Sequence, residues 1–372
     1  MAPARVLHLC AGNLYGGVER IVAECAADRE LCPQMVPSFA VCFDGRLADE
    51  IESSGLRCAR LGVARVSRPW TILRARRRLA RVLREDPPSV VLCHSAWMLG
   101  LAAPVVRCAG CTLALWVHDP VSRASWPERW AAMTQPEIII ANSRFTGDSV
   151  QALYPGAAHT VIYAPVRADG SGPARAALRR SLGVDERTPV ILVASRFERW
   201  KGHGALIAAL ARIQEPWQLW IAGRAQRPAE TAYERDLQAV VRASGVADRV
   251  RFLGERRDVA ACMRAADIHC QPNTEPEPFG LAFIEAMYAG IPVVTTALGG
   301  ALEILTDECG VLVPPGQATA LADALRRLVT DPGARRRLGS GGPPRAQALC
   351  DPGRQLAGLA VLLRADRTPV AA

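Results

Sequence analysis

The feature that most constrains this chain is a pattern of short apolar segments alternating with helical stretches, which stops once and then starts again. RVLHLC (5–10) leads through a glycine-rich turn to a helix beginning near Val18, and SFAVCF (38–43), SVVLCH (89–94), TLALWVH (112–118), IIIANS (138–143) and HTVIYAP (159–165) follow. A polar stretch of linker composition, Arg167 to Pro173, interrupts the pattern. It resumes with PVILVAS (189–195), WQLWIAG (217–223), RVRFLG (249–254), DIHCQP (267–272), PVVTT (292–296) and GVLVPP (310–315). Strands that are apolar at nearly every position are covered by helices on both faces, which is the habit of parallel sheets. Two doubly wound α/β domains are therefore expected, over 1–166 and 174–351. A length of 372 residues suits two domains. Ligands of such sheets bind at the C-terminal strand ends, so two domains facing each other would bind across a cleft.

The stretch from Pro88 to Val106 is uncharged and long enough to suggest a membrane span. It contains His94, Ser95 and Pro104 and divides more naturally into strand, helix and the approach to the next strand, so no transmembrane helix is expected. The N-terminus, MAPARVLHLC, lacks the long apolar core of a secretory signal. Twelve irregularly spaced cysteines in a chain of this size read as reduced cytosolic thiols, mostly small buried hydrophobes. Cys108 and Cys111 form a lone C-x-x-C ahead of a strand, with too few companions for a zinc site.

The net charge of +9 is local. Residues 57–84 hold ten arginines and no acid, so the rest of the chain nets −1. A near-neutral body argues against a nucleic-acid coat. Within the patch, Ile72, Ala75, Leu79 and Val82 make one helical apolar stripe, and Arg74, Arg76, Arg77, Arg78, Arg81 and Arg84 fill the remaining faces. Those arginines are either a solvated face or a surface for anionic lipid headgroups, to which each cation adds ~1 kcal/mol. Of the 45 basic residues only Lys201 is a lysine.

Lys201 falls in a loop, Arg196-Phe-Glu-Arg-Trp-Lys201-Gly-His203, at the mouth of the strand PVILVAS. A site that binds a diphosphate wants cations there, because the leaving group gathers negative charge. Arg196 would offer a planar fork and Lys201 a point charge; the plainer alternative is two solvated loop cations. Further on, Glu277-Pro-Phe279-Gly280-Leu281 runs into a helical stretch through Glu285. Backbone amides of Phe279, Gly280 and Leu281 at such a start suit phosphate oxygens. Glu277 would face the cleft, and Glu285, among apolar neighbours, would be a buried carboxylate needing partners such as ribose hydroxyls. In the first half, Gly16 and Gly17 close the turn after the first strand and are either a tight turn or a site of close backbone approach. His118 and His94 each end a strand, and Asp119, Asn142 and Ser143 are further strand-end candidates.

These segments together resemble glycosyltransferase family 4. GGVER (16–20), IIIANSRFT (138–146), VIYAPV (161–166), SRFERWKGH (195–203), FLGERRDV (252–259), AADIHCQPN (265–273), EPFGLAFIEAMYAGIPVVTTALGGALEIL (277–305) and GVLVPP (310–315) stand in that family's order and spacing. The E-x7-E motif and the segment after it are the specific part. The resemblance implies a GT-B fold, two Rossmann-like domains facing each other across a cleft, with acceptor binding in the first, nucleotide-sugar binding in the second, and 352–372 a candidate to pack back on the first. It implies a retaining, metal-independent transfer of a hexose from a UDP- or GDP-sugar to a glycan or lipid-linked acceptor, in the cytoplasm or at the inner face of the plasma membrane, with no cofactor and no nucleic acid.

It further implies that Arg196 and Lys201 hold the diphosphate, Glu285 the ribose, and Glu277 the donor sugar hydroxyls, with Glu303 behind them and Gly254–Arg257 beside the base. His118 is preferred over His94 as a catalytic contact, and Gly16 and Gly17 become part of a loop facing donor or acceptor. Ser195 stands where the family usually has glycine. The helix expected after 335 is interrupted by GSGGPP (339–344). A GT-B epimerase or phosphorylase, or a non-catalytic nucleotide-sugar-binding protein, are the alternatives.

Overall fold

The computed structural model of the chain describes residues 3–364. They fall into two compact units, one running to Val166 and taking in the segment from Cys350 onward, the other spanning Arg167–Leu349.

The first unit is built on a seven-stranded sheet of β1 (Ala4–Cys10), β2 (Met35–Val41), β3 (Cys58–Arg60), β4 (Val90–Cys93), β5 (Thr112–Val117), β6 (Ile138–Ala141) and β7 (Thr160–Val161), in the order β3-β2-β1-β4-β5-β6-β7. The second has six strands, β8 (Val190–Ala194), β9 (Gln218–Ala222), β10 (Val250–Gly254), β11 (Ile268–Gln271), β12 (Val293–Thr296) and β13 (Gly310–Val313), in the order β10-β9-β8-β11-β12-β13. All neighbouring strands pair in parallel. The strand order reverses between β1 and β4 in one sheet and between β8 and β11 in the other, which are the points where doubly wound folds open a crevice for ligand.

Burial explains the apolar runs. β4, β6, β11 and β12 are buried at every position, as strands covered on both faces must be. All twelve expected strands are present. β7 keeps two residues of its expected segment, and β3 was not anticipated, because three residues, CAR, carry no periodic signal. The uncharged stretch after Pro88 is β4 followed by a buried helix, Ala96–Cys108, whose Ser95 hydroxyl caps it by accepting from the Met98 amide at 3.2 Å. Among the described residues no helix is long and apolar enough to cross a membrane. Ten of the twelve cysteines are buried and all twelve are free thiols.

Two expectations are corrected. The stripe on helix Pro69–Glu85 is Ile72, Ala75, Leu79 and Leu83, with Val82 only half-buried at its margin. The segment GSGGPP interrupts nothing: one helix runs through it from Pro332 to Cys350. Its glycines serve close packing. A Cβ on Gly339 would overlap the Gly290 carbonyl oxygen, one on Gly341 the Glu308 carbonyl oxygen, and one on Gly342 would come within 2.7 Å of the Met287 carbonyl oxygen. The following helix, Pro352–Arg364, belongs to the first unit, where the Cys32 thiol meets the Leu356 carbonyl at 3.5 Å and the Val166 amide donates to Cys350 at 3.0 Å. The remainder of the 352–372 segment, from 365 on, lies outside the described residues.

Candidate functional site

In the second unit the polar residues gather where the chain leaves β8 and β11, the two strands flanking the reversal. After β8 comes Ser195 to Lys201, then Gly202 at φ 76° and the helix His203–Leu210. A Cβ on Gly202 would overlap the Pro272 carbonyl oxygen, so glycine is what lets the loop after β8 lie directly on the loop after β11. Lys201 thereby reaches Glu277. Its Nζ donates to Glu277 Oε2 at 2.8 Å and Oε1 at 3.2 Å, with the two side chains only 14% and 9% exposed. Oε2 also accepts from Gln271 Nε2 at 2.9 Å and Asn273 Nδ2 at 2.8 Å. The Thr295 and Thr296 hydroxyls hold the carbonyls of Gln271 and Asn273 from β12 at 2.7 and 2.6 Å. A buried carboxylate is tolerable only with such a full set of donors. Gln271 and Asn273 were not singled out in the sequence; the available signal was two amides closing an otherwise apolar strand.

Arg196 is placed beside other carboxylates, Glu198 at 2.7 Å and Glu230 at 3.4 Å, and its side chain is 29% exposed. Arg196 and Lys201 are thus both charge-balanced by carboxylates of the same unit. Ser195, at the position where glycine was expected, has a use: its hydroxyl lies 3.1 Å from Nε2 of the buried His203, whose imidazole is pushed down to about 4 by burial and, secondarily, by the Lys201 charge. Phe279 is buried, and Gly280, at φ 108°, precedes the helix Leu281–Tyr288. A Cβ at Gly280 would overlap the Phe283 ring. Glu277 itself is pinned by its backbone, which bridges Gly299 and accepts from the Gly300 amide at 2.7 Å. Glu285 is half-buried rather than enclosed, although Phe283, Ile284, Ala286 and Met287 around it are all buried. Glu303 is half-buried, and Arg345 Nη2 holds its carbonyl at 2.6 Å. The loop from Gly254 carries a 2.6 Å Arg256–Asp258 ion pair.

In the first unit, Gly17 opens the helix Gly17–Ala27 and Gly16 precedes it. The Gly16 amide is already satisfied by Glu19 Oε2 at 3.0 Å, a carboxylate at a helix N-terminus. His118, immediately after β5, is 6% exposed. Its Nε2 lies 3.0 Å from Nδ1 of His94, and His94 Nε2 lies 3.0 Å from Nδ1 of His8 on β1. The three rings stack, with centroids 5.2 and 5.3 Å apart. Burial pushes His8 down to about 4 and His118 to about 3, and His94, between two other imidazoles, goes well below its ordinary value. Asn142 and Ser143 are structural: Asn142 Nδ2 donates to the His118 carbonyl at 3.0 Å, and Ser143 caps the helix Arg144–Leu153 by accepting from the Thr146 amide. Asp119 is exposed. His8 escaped sequence reading, since a single histidine inside an apolar strand gives no sign of partners 86 residues away.

Two Rossmann-like domains, each with its polar side chains at the reversal of a parallel sheet, define a GT-B fold. Solved structures agree: HepE of Anabaena, crystallised with UDP and glucose, superposes with a TM-score of 0.85 at 24% identity over 97% of this chain and 99% of that one. The glycosyltransferase of Rickettsia africae gives 0.83 at 19%, over 98% of this chain and 100% of that one. The model for glycosyl transferases group 1 matches residues 174–344 and that for Glycosyltransferase Family 4 matches 15–169. Between them they take in most of both units, and the chain belongs to glycosyltransferase family 4. Among curated relatives, a D-inositol 3-phosphate glycosyltransferase of Xylanimonas cellulosilytica is 38% identical over 60% of this chain and 56% of its own length. A phosphatidyl-myo-inositol mannosyltransferase of Mycobacterium leprae is 42% identical over 35% of this chain and 34% of its own. The chain spans about half the length, or less, of the curated relatives it matches.

Proposed function

We propose that this chain is a retaining glycosyltransferase that moves a hexose from a UDP- or GDP-sugar to a glycan or lipid-linked acceptor, in polysaccharide or glycolipid synthesis. The observation that carries this reading is the Lys201–Glu277 pair, fixed by Gln271 and Asn273 at the sheet reversal of the second unit. Lys201 and Arg196 offer positive charge to a diphosphate as it leaves, the point at which such charge is worth most. Glu277 Oε2 is filled by Lys201, Gln271 and Asn273, so Oε1, with its longer 3.2 Å bond from Lys201, is the oxygen that would accept from a sugar hydroxyl. Phe279 to Leu281 would supply backbone amides and Glu285 would take the ribose.

Retaining hydrolases place two carboxylates ~5 Å apart and use one as nucleophile. Here Glu277 is committed to Lys201 and two amides, which favours front-face attack. In that step the bond from the anomeric carbon to the diphosphate breaks, the acceptor oxygen bonds on the same face, and its proton passes to the leaving phosphate oxygen. Two fixed cations fill the role a divalent ion plays elsewhere, so activity is expected to survive EDTA. The relatives' names, an inositol phosphate and a phosphatidylinositol enzyme, make a polyol or lipid-linked acceptor the first to test.

The arginine helix is proposed to dock on anionic lipid at the cytoplasmic face of a membrane. Arg74, Arg77, Arg78, Arg81 and Arg84 are exposed on it, as are Trp70 and Leu73. Arg65, Arg68, Arg74 and Arg78 line an open cavity of about 400 Å³ with Thr71. Arg76 is removed from this set, because it turns inward to the carbonyls of Leu101 and Gly100 at 2.9 and 3.2 Å.

A thermal-shift comparison of UDP, GDP and ADP, followed by transfer or donor hydrolysis with the stabilising nucleotide's sugars, tests the reading. One diphosphate should raise the melting temperature and its sugar should turn over. Binding without turnover to any polyol, glycan or lipid-linked acceptor would leave a binding protein instead.

A further inference from the structure

The three histidines of the first unit form a chain whose direction is constrained by proton counting. A neutral imidazole has one N–H and one lone pair. His94 uses both nitrogens, so it must donate to one neighbour and accept from the other. Only two arrangements remain. In one, His8 Nδ1–H donates to His94 Nε2, His94 Nδ1–H donates to His118 Nε2, and His118 carries its proton on Nδ1. In the other every bond is reversed and all three protons sit on Nε2.

The outer nitrogens decide between them. His8 Nε2 and His118 Nδ1 are buried and without a hydrogen-bond partner. Either arrangement leaves one orphaned N–H and one orphaned lone pair; they differ in where the N–H lies. Strand register places the ends. His8 pairs with Leu92 and Phe39, its ring stacked 5.0 Å from that of Phe39, inside the sheet. His94 and His118 each follow the last residue of their strands, so the chain climbs from the interior of β1 to the C-terminal edge beyond β5. Orphaned buried N–H groups are rare in proteins. At His8 the N–H could meet nothing, whereas at His118 it stands where ligands of such sheets bind.

We propose that His8 and His94 are positioning residues that fix His118 as the Nδ1–H tautomer, making it a neutral hydrogen-bond donor to a ligand oxygen, a sugar hydroxyl or a phosphate oxygen, rather than a general base. A base at this position would need a lone pair on Nδ1, and that lone pair exists only if the whole chain reverses. The bonds of such a chain polarise one another, which strengthens the terminal donor. This inference deepens the transferase reading and rests on it only for the identity of the ligand.

The test is the tautomer itself, read by nitrogen NMR on the full chain labelled at histidine. All three members are expected as Nδ1–H at neutral pH. Nε2–H at His118 in the unmodified protein overturns the proposal whatever the variants do. His94→Phe should leave His118 a mixture of tautomers and lower kcat/KM about tenfold, whereas His94→Gln, which keeps an N–H towards His118, should restore most of the activity. An unchanged His118 tautomer in a folded His94→Phe protein would also overturn it. A protein with the Nδ1–H signature and no transferase activity would sink the transferase reading and leave the wire intact.

Discussion

The two units share one strand order over six strands, the first adding a seventh at its edge, and put their polar residues at the same place, yet they solve the problem of polarity there in opposite ways. The second unit uses full charges, Lys201 and Arg196 against Glu277 and Glu198 on loops past the strand ends and against Glu230 in the first turn of the helix Pro228–Ala243. The first uses neutral rings on or directly after the strands, His8, His94 and His118, each stripped of charge by burial. Charge suits a site that must stabilise a leaving anion, because its value rises as negative charge develops. Neutral donors suit a site that must orient oxygen atoms without binding a competing ion.

The charged site of the second unit should be most sensitive at Lys201. Lys201→Ala should lower kcat about 10²- to 10³-fold, the range seen when a preorganised transition-state donor is removed, with a smaller change in donor affinity. Steady-state kinetics together with donor titration separates the two. If kcat holds while donor affinity collapses, the charge acts on the ground state and not on the leaving anion. Stability should fall by less than the 3–5 kcal/mol typical of a broken buried ion pair, about 2 kcal/mol, because Gln271 and Asn273 still donate to Glu277.

Gly202→Ala probes the same unit through its backbone. The φ of 76° disfavours a side chain, and the Cβ would overlap the Pro272 carbonyl. Strain of this kind costs of order 1–3 kcal/mol, so chemical denaturation should show a loss of at least that size. It should also shift Lys201 from Glu277 and lower activity beyond what the lost stability explains. A stability loss with unaltered kinetics would show that the two loops need not touch for the site to work.

The first unit should be distinguished by acid. An unfolded histidine titrates at 6.5, while folded His8 is near 4 and His118 near 3. Between those values the unfolded chain binds protons that the folded chain refuses. Stability is therefore complete above 6.5 and falls as pH drops towards 4, by about 1.4 kcal/mol per pH unit for each such imidazole. The first unit has three of them in contact, while the second has His203 and His269, which are pushed down separately. Hydrogen exchange at pH 7 and 5, corrected for intrinsic rates, should show protection falling more steeply across β1, β4 and β5 than across the second sheet. Equal losses would show that the three buried imidazoles of the first unit do not resist protonation more than the two of the second.

The same contrast explains what could be seen in the sequence. Loop constellations such as Arg196–Lys201 and Glu277–Leu281 are contiguous, so their spacing is visible, and the alternation of apolar runs sets out both sheets. A row of side chains lying across a sheet is not contiguous. His8 sits on β1 and His94 and His118 directly after β4 and β5, 86 and 24 residues apart, and only strand order and register bring them together. Glycine was misjudged for a related reason. In GSGGPP it signalled an interruption, whereas the structure uses Gly339, Gly341 and Gly342 for backbone contact inside a continuous helix. Composition cannot distinguish a glycine needed for freedom from one needed for lack of bulk.

The arginine helix gives the smallest expected effects and the clearest internal control. Arg76 donates to two carbonyls of the neighbouring helix, and its guanidinium carbon lies 5.7 Å over the Trp130 ring, so Arg76→Ala should cost stability, about 1–2 kcal/mol for hydrogen bonds from a charged group. Arg77 and Arg81, on the exposed side of the same helix, should be neutral within about 0.5 kcal/mol when changed to alanine. If the exposed face docks on anionic lipid, each of those two changes should weaken co-sedimentation with phosphatidylserine vesicles by about fivefold, the equivalent of ~1 kcal/mol per cation. Arg76→Ala should leave it unaltered. Binding that is equal for neutral and anionic vesicles, or indifferent to Arg77 and Arg81, would mean that these arginines are simply a solvated face and that the charge asymmetry of the first unit has no partner.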